Sequence, residues 1–384
     1  MATPSIPWPL SPQRPDLKQR PALLLTGATG FVGSELLQLL SAAHPTRGIA
    51  VLSRTYHEHA APSLPAGVLA IPGDITHPSL GLDAKTCMEL AENITGIIHC
   101  AADTRFALLL DEARAVNTEG TRNILQFARR CPSLQKLAHI STVYVVGKAE
   151  GYFLEGPIPH PSSYCNTYQQ SKYEAEELVA EAMDQIPACI FRLSSIVGDS
   201  HTGAVRQFNH VHQLIRLFPK NSLPIIPGLP EARMDLIASD WALPALAFIF
   251  DHAFAPGSFY HICAGPNYSL TVREMIDVMA TVFESHPRAQ RWLPIRPPEL
   301  VPLRQYEEFV EQHRRNGDTL LNELLRALGY FLPHLGMLQA FDNRKTLNAL
   351  TKSELQLPGA TSYFEKVVRY CLDTNWGRRI PCET

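Results

Sequence analysis

Short apolar runs alternate with helical patterns along the first two thirds of the chain. From residue 22 the runs read ALLLTG, IAVLSR, VLAIPGD, GIIHCAA, KLAHIST, ACIFRLSSIVG and SFYHICAG, and amphipathic stretches separate most of them. Continuous apolar strands joined by helices are typical of a parallel sheet with helices on both faces. The pattern therefore predicts a doubly wound α/β Rossmann domain, in which ligands bind at the carboxyl ends of the strands.

The pattern loosens after Gly198, where the loop LPIIPGLPEAR and a set of interrupted helices follow. We predict a second, smaller and mainly helical lobe that binds the substrate. The predicted division is a flexible leader at 1–20, a Rossmann domain at 21–198 plus 235–265, and a substrate-binding lobe at 199–234 plus 266–384.

One apolar stretch of that lobe, residues 327–341 (ALGYFLPHLGMLQAF), is broken by glycine and proline. A bent apolar segment suits the wall of a cleft, so we expect it to line an apolar pocket. The alternative is that the segment is the core of the lobe.

The first strand leads directly into T-G-A-T-G-F-V-G, in which Gly27, Gly30 and Gly33 are spaced three apart. Glycines allow a tight turn and a close approach of the backbone to a pyrophosphate, and the following helix offers free N–H groups. The second strand ends at Ser53 and Arg54, where an arginine suits a ribose 2′-phosphate and an acid would suit the hydroxyl. This favours NADP over NAD, unless Arg54 is an ordinary surface residue.

The pattern Tyr-x-x-x-Lys occurs twice, at Tyr144–Lys148 and at Tyr168–Lys172. The second copy continues into an apolar stripe of helical spacing, which turns both side chains inward, and Thr167 with Gln170 predicts a capping box at the start of that helix. The first copy contains Gly147 and lacks such a stripe. Tyr168 and Lys172 are therefore the candidate pair.

An ammonium close to a phenol lowers the pKa of the phenol, so the hydroxyl can exchange a proton near neutral pH. A hydroxyl at the preceding strand end can orient the substrate oxygen. Strand alternation turns one of Ser141 and Thr142 to the cleft; we favour Thr142, with Ser141 as the alternative. For an isolated Tyr-x-x-x-Lys, a buried tyrosine beside a solvated lysine would be the simpler interpretation.

These motifs, with A-V-N-T-E-G-T and D-L-I-A-S-D-W, resemble the extended short-chain dehydrogenase/reductase superfamily over nearly the whole chain. The stretches IIHCAADTRF, LSSIVGDSHTG and GFVGSELL are most similar to its thioester-reductase and fatty acyl reductase branch, also called the male-sterility type. The resemblance implies Thr142, Tyr168 and Lys172 as catalytic residues and Asn117 in a structural and proton-relay position. It implies the following residues for the cofactor: Gly27, Thr29, Gly30, Phe31, Val32, Gly33, Arg54, Asp74, Ile75, Ala101, Ala102, Lys172 and Ser194.

The resemblance also implies an activity. We expect NADPH-dependent reduction of a carbonyl or thioester of a fatty or polyketide-like acyl substrate to an aldehyde or alcohol. The acyl group would be delivered on coenzyme A or on a separate acyl carrier protein, and its chain would occupy the apolar pocket. A ketone or quinone-type carbonyl reductase remains open as an alternative, since its catalytic residues would be the same. A sugar-nucleotide dehydratase would carry Asp-Glu after Thr142, where this chain has Val143 and Tyr144, and an epimerase usually retains NAD.

Composition narrows these possibilities. The formal net charge of -3 and pI near 6.6 give no excess of basic residues, which argues against nucleic acid as a partner. The longest apolar run, Trp241–Phe250, is too short to span a bilayer, and the N-terminal segment is unlike a signal peptide, so we expect a cytoplasmic protein without an integral membrane segment. The pairs His57/His59 and His210/His212 lack a third ligand at a fitting spacing, so we assign no metal.

Overall fold

A parallel sheet of seven strands forms the centre of the protein, in the spatial order β12-β7-β5-β4-β1-β2-β3. The structure is a computed structural model that describes residues 22–54, 64–218, 224–292, 294–315 and 329–378. The predicted leader lies outside the described residues. The sheet strands are β1 Leu23–Thr26, β2 Ile49–Ser53, β3 Val68–Pro72, β4 Gly96–His99, β5 Lys136–Thr142, β7 Ala188–Leu193 and β12 Phe259–Ile262.

Helices cover both faces of this sheet, which confirms the predicted fold class. The helices are α1 Phe31–Ala43, α2 Ala84–Asn93, α3 Leu110–Ala128, α4 Thr167–Ala182, α5 His210–Leu217, α6 Ser239–His252, α7 Val272–Ser285, α8 Leu303–Arg315, α9 Arg344–Ala349 and α10 Ala360–Asp373. Shorter 3₁₀ turns occur at Pro78–Gly81, Val143–Val146, Pro287–Trp292 and Leu332–Gly336.

Eight short strands lie outside the central sheet and pair two by two. They are β6 Gly151–Phe153, β8 Ser195–Gly198, β9 Ile225–Pro227, β10 Arg233–Met234, β11 Leu236–Ala238, β13 Leu270–Thr271, β14 Glu299–Val301 and β15 Gln339–Phe341. The single apolar run ACIFRLSSIVG thus forms two strands. Of these, β7 stays in the central sheet and β8 leaves it to pair with β11.

The alternation of side chains along β1 explains why both faces of the sheet are apolar. Leu23 and Leu25 point to the cluster that contains α1 and α6, whereas Leu24 points to the cluster that contains α2, α3 and α4. Trp241–Phe250, the longest apolar run, lies inside α6 and contributes buried residues to the first of these clusters. Within the described residues, no helix has both the length and the apolar character needed to cross a membrane.

A third cluster forms the core of the lobe outside the sheet. It combines residues from β8 and α5 with residues from α7, the Leu332–Gly336 turn and α10. Segments on either side of β11 and β12 in the sequence thus share one core. The division into a Rossmann domain and a substrate-binding lobe at the predicted residue boundaries stays a prediction.

Candidate active site

A cavity of about 1000 Å³ lies at the carboxyl ends of the sheet strands. Its walls come from the residues that follow β1, β2, β3, β4, β5 and β7, together with α4 and the first residues of α5. This is the place where parallel α/β sheets bind their ligands. Every residue predicted to bind the cofactor lines this one cavity, as do Thr142, Tyr168 and Lys172.

The glycine loop after β1 is shaped so that side chains cannot be added to it. Gly27 has φ +76°, and a Cβ at that position would lie 2.5 Å from the backbone nitrogen of Ala101. A Cβ on Gly33 would lie 2.3 Å from the carbonyl oxygen of Gly27. Helix α1 begins after Gly30 without a side-chain cap, so the N–H groups of its first turn are not taken by a capping side chain. These features fit a pyrophosphate held by backbone N–H groups.

Charged residues line the cavity around the end of β2. Arg54 is exposed and lines the cavity close to the end of β3, where Asp74 also lines it. The Asp74 carboxylate accepts hydrogen bonds of 2.9 Å from the backbone N–H and the hydroxyl of Thr76. Arg105, in the loop after β4, lines the cavity as well and forms an ion pair of 2.6 Å with Asp103. Adenine binding by Asp74 and 2′-phosphate binding by Arg54 stay predictions.

Helix α4 carries Tyr168 and Lys172, and its start differs from the prediction. The capping box of Thr167 and Gln170 is wrong: the cap is Asn166, whose side chain accepts a hydrogen bond of 3.0 Å from the backbone N–H of Gln169. The Thr167 hydroxyl instead donates to the carbonyl of Leu108 at 3.0 Å. Thr167 is therefore the first helical residue, and its side chain fastens α4 to the segment before α3.

Lys172 is almost completely buried beneath the cavity. Its ammonium donates to the carbonyl oxygen of Ile140 at 2.7 Å and lies 3.3 Å from the Nε2 atom of His139. Burial lowers the pKa of Lys172 to about 8, although the Glu176 carboxylate one turn later acts in the opposite direction. Burial and the Lys172 ammonium lower the pKa of His139 well below its ordinary value, so this imidazole is neutral at pH 7.

Tyr168 lies on the same side of α4 as Lys172, and its ring packs against Phe106 with the centroids 5.8 Å apart. The prediction that an ammonium lowers the pKa of Tyr168 is wrong in direction. Burial raises the pKa of Tyr168, and Cys100 and Glu176 raise it further. Desolvation of the phenolate is the largest cause, so the phenol keeps its proton at neutral pH.

Both hydroxyl residues at the end of β5 line the cavity, so strand alternation does not separate Thr142 from Ser141. The Thr142 hydroxyl accepts a hydrogen bond of 3.3 Å from the backbone N–H of Tyr144 and thereby caps the 3₁₀ turn that follows. The Ser141 hydroxyl is buried and has no hydrogen-bond partner within the part of the chain that the structure describes. Thr142 as the substrate-orienting hydroxyl remains a prediction, with Ser141 as the alternative.

Asn117 lies behind the cavity and is outside its lining. Its side chain accepts from the backbone N–H of Asp103 at 2.8 Å and donates to the carbonyl of Asp103 at 3.0 Å and to the Ser171 hydroxyl at 2.9 Å. These contacts fix the loop after β4 to α4. The supporting position predicted for Asn117 matches this geometry, whereas a role in proton relay stays a prediction.

Sequence reasoning missed a group of cavity residues on the side of the second lobe. The prediction that Tyr144 and Lys148 do not lie together on an α-helix is confirmed, because a 3₁₀ turn capped by Gly147 ends between them. Tyr144 nevertheless lines the cavity. Its hydroxyl lies 3.2 Å from the Ser195 hydroxyl, which lies 3.3 Å from Nε2 of His210. The signal for Tyr144 and Ser195 was their position just after a sheet strand; His210 carried no such signal.

The stretch 327–341 does not form the predicted pocket wall. Phe331, Leu332 and Leu335 are buried in the core of the lobe, and within the described part, 329–341, only Tyr330 lines the cavity. Residues 327 and 328 lie outside the described residues. The glycine and proline breaks let the segment turn inside the lobe core, which was the alternative interpretation.

The paired histidines have partners other than a metal. The Nε2 atom of His212 lies 2.9 Å from the carbonyl oxygen of Val197, and His210 contacts Ser195. His57 and His59 lie outside the described residues. Over the described ranges, no group of three or more His, Cys, Asp and Glu residues is arranged to hold a metal ion.

Comparison with known proteins finds one matching family model, "Male sterility protein", over residues 25–246. The "Isonitrile lipopeptide synthase" of Streptomyces coeruleorubidus is 30% identical over 261 residues, which are 61% of this chain and 18% of that protein. The "Non-canonical nonribosomal peptide synthetase hkm10" of Aspergillus hancockii is 27% identical over 387 residues, 91% of this chain and 36% of that protein. The chain thus corresponds to a minor part of these much longer relatives.

The solved structure of another protein aligns with nearly the whole of this chain. The terminal R domain from the myxalamid PKS-NRPS biosynthetic pathway aligns with a TM-score of 0.75 and 27% identity, over 93% of this chain and 91% of that one. The similarity extends over the central sheet and the second lobe together, because the aligned share exceeds the matched family region.

Proposed function

This chain belongs to the male sterility protein family, and we propose that it is an NADPH-dependent reductase of acyl thioesters. The family match confirms the branch of the extended short-chain dehydrogenase/reductase superfamily that the motifs predicted. A reductase of this type also agrees with the alignment of the R domain over 93% of this chain. The finer proposal concerns the cofactor, the substrate and the residues that act on it.

The observation that carries the proposal is the single cavity shared by the glycine loop and the tyrosine–lysine pair. Gly27 and Gly30 line this cavity, and so do Tyr168 and Lys172. A dinucleotide whose pyrophosphate binds at the start of α1 extends along the strand ends. The residues expected to exchange a proton with the substrate therefore line the same space as the residues expected to hold the cofactor.

The cavity residues fit NADPH. Backbone N–H groups of the first turn of α1 would hold the pyrophosphate, and Arg54 would hold the 2′-phosphate as a charged hydrogen-bond donor. Ala101 and Ala102 leave room for the adenosine half. When bound, NADPH supplies the hydride for reduction.

The side chains of the chain supply the proton and the orientation. Tyr168, protonated at neutral pH because burial raises its pKa, donates its proton to the substrate oxygen. Lys172 holds a positive charge below the tyrosine, and Thr142 donates a hydrogen bond to the same oxygen. A thioester carbonyl that has gained a hydride and a proton is a thiohemiacetal, which expels its thiol and leaves an aldehyde.

The thiol of such a substrate belongs to coenzyme A or to the pantetheine arm of an acyl carrier protein. The names of the peptide synthetase relatives and of the R domain support a carrier-bound acyl group, since those proteins assemble peptides or polyketides. We propose a carrier-bound acyl thioester as the substrate and a carrier protein as the partner.

The test follows NADPH oxidation with acyl thioesters of coenzyme A, of a carrier protein and of N-acetylcysteamine, and with simple ketones for comparison. Tyr168→Phe should lose turnover about a hundredfold or more and keep its NADPH affinity. Tyr173→Phe, the same change five residues later on α4 and outside the cavity lining, should keep both. Reduction of ketones but no thioester would refute the proposal, as would full activity of Tyr168→Phe.

A further inference from the structure

Three polar side chains meet on the side of the cavity formed by the second lobe. Tyr144 comes from the 3₁₀ turn after β5, Ser195 from β8 and His210 from the start of α5, and all three line the cavity. Their polar atoms form a chain of two hydrogen bonds: the distance from Tyr144 Oη to Ser195 Oγ is 3.2 Å, and that from Ser195 Oγ to His210 Nε2 is 3.3 Å. We call these three residues the polar cluster.

The surrounding packing holds the polar cluster in one arrangement. Asn209 donates to the carbonyl of Ile196 at 2.8 Å, and His212 contacts the carbonyl of Val197 at 2.9 Å, so α5 is fixed in register with β8. The His210 ring packs against both Phe331 and Phe106 in tilted contacts, with centroid distances of 4.2 and 5.3 Å. Side chains held from two sides lose little freedom when a ligand binds.

The polar cluster is also close to the proposed chemistry. Phe106 contacts both the His210 ring and, at 5.8 Å, the ring of Tyr168. Tyr144 lies two residues after Thr142, whose hydroxyl accepts its backbone N–H. A substrate whose carbonyl reaches Tyr168 and Thr142 can therefore place a neighbouring group against the cluster, because all of these residues line the same cavity.

The cluster is uncharged at neutral pH. Burial lowers the pKa of His210 to about 3, with smaller contributions from His334 and His212. Burial raises the pKa of Tyr144 as well. Among the described residues from 193 onward that line the cavity, none is Asp, Glu, Lys or Arg. The lining side chains of this wall therefore offer a counter-ion neither to a carboxylate nor to an ammonium, and the buried Asp235 carboxylate, which also raises the pKa of Tyr144, disfavours a carboxylate further.

A neutral imidazole at one end lets the cluster present either a donor or an acceptor at the other. If Nε2 of His210 accepts from Ser195, then Ser195 accepts from Tyr144 and the phenol oxygen faces the cavity as an acceptor. If Nε2 carries the proton, the direction reverses and the Tyr144 hydroxyl donates to the cavity. An amide supplies both a donor and an acceptor, whereas a hydrocarbon would leave these groups unpaired and desolvated.

We propose that Tyr144, Ser195 and His210 form a specificity subsite for an uncharged amide group adjacent to the reacting carbonyl, as in an N-acylaminoacyl thioester. This inference rests on the proposed function and deepens it. It also differs from the fatty or polyketide-like chain expected from the sequence, because the acyl group proposed here has a polar amide next to the carbonyl.

The test compares two N-acetylcysteamine thioesters of equal length, one N-acylaminoacyl and one straight-chain acyl, with the full chain and NADPH. The wild type should favour the amide substrate about tenfold in kcat/KM, which corresponds to one or two net hydrogen bonds. Tyr144→Phe and Ser195→Ala should each abolish this preference, mainly through KM, while Tyr173→Phe keeps it. Equal use of both substrates by the wild type, or equal losses for both in the variants, would overturn the subsite.

A binding measurement separates this inference from the proposed function. Thioether analogues of the two substrates, which cannot be reduced, are titrated into the protein by calorimetry with NADP⁺ present. Tighter binding of the amide analogue in the wild type, lost in Tyr144→Phe, supports the subsite even if neither thioester is turned over. Equal binding of both analogues overturns the subsite even if both thioesters are reduced.

Discussion

The pair Glu176 and Arg192 is a buried ion pair behind the candidate active site, and its removal should be costly. Both side chains are nearly inaccessible, at 5% and 1% relative exposure. The guanidinium donates from Nε to both carboxylate oxygens at 3.0 Å and from Nη2 to Oε2 at 2.7 Å. It also donates to the carbonyl of Gly156 at 2.8 Å and stacks on Phe259, with 5.0 Å to the ring centroid.

Removing one partner leaves the other charge buried without its counter-ion. Such single changes in buried pairs cost about 3–5 kcal/mol of unfolding free energy. We therefore expect Glu176→Gln and Arg192→Met to destabilise the protein by amounts in that range. The double variant should be less destabilised than the sum of the two, because no unpaired charge remains.

Urea unfolding of the wild type, both single variants and the double variant measures this coupling. The exposed pair Glu365 and Arg369 has the same residue types and is the control; Glu365→Gln should cost about 0.3–0.5 kcal/mol. Glu176→Gln should also lower the pKa of Lys172 further, since the Glu176 carboxylate now raises it. Single-variant costs as small as that of the control, or strict additivity in the double variant, would refute the reasoning.

Three further predictions concern the cofactor half of the cavity. Arg54→Ala should weaken NADPH binding about tenfold or more and leave NADH binding unchanged, because one charged hydrogen bond to the 2′-phosphate is lost. Calorimetry with both cofactors measures this, and an unchanged preference for NADPH over NADH contradicts it. Turnover should fall as the pH rises past about 8, where Lys172 loses its proton, and a rate profile that stays flat up to the ordinary lysine pKa would count against a role for the ammonium. Gly30→Ala should fold normally, since its Cβ would have one neighbour, at 3.4 Å, but it should weaken NADPH binding because the added methyl group lies in the glycine loop. Gly27→Ala should lower the melting temperature, because its Cβ would lie 2.5 Å from a backbone atom of Ala101.

The parts of the site that the sequence predicted well are those fixed by local structure. Strand ends are recognisable because a continuous apolar run stops there, and a glycine loop between a strand and a helix has few other interpretations. Helical spacing also distinguished Tyr168–Lys172 from the copy that contains Gly147. Each of these inferences used residues within about two turns of one another, so no knowledge of tertiary packing was required.

The errors arise where packing between distant segments decides the outcome. The pKa of Tyr168 depends on how completely the second lobe and the loop with Phe106 exclude water, which no local pattern reveals. Asn166 is the cap of α4 although Thr167 is an equally good capping residue, because the Thr167 hydroxyl finds the Leu108 carbonyl, 59 residues earlier.

The role proposed for Tyr144 also depends on packing between distant segments. No lysine lies beside Tyr144 on a helix, which argues against a role in proton transfer: its hydroxyl lies beside the neutral Ser195, and burial together with the Asp235 carboxylate raises its pKa. A hydroxyl without a nearby cation is a poor acid but a good hydrogen-bonding group for a neutral ligand. Two tyrosines that line one cavity can therefore have different roles. Tyr168, on the same side of its helix as an ammonium, suits proton transfer. Tyr144, beside a serine and a neutral histidine, suits recognition, so the surroundings of each hydroxyl decide its role.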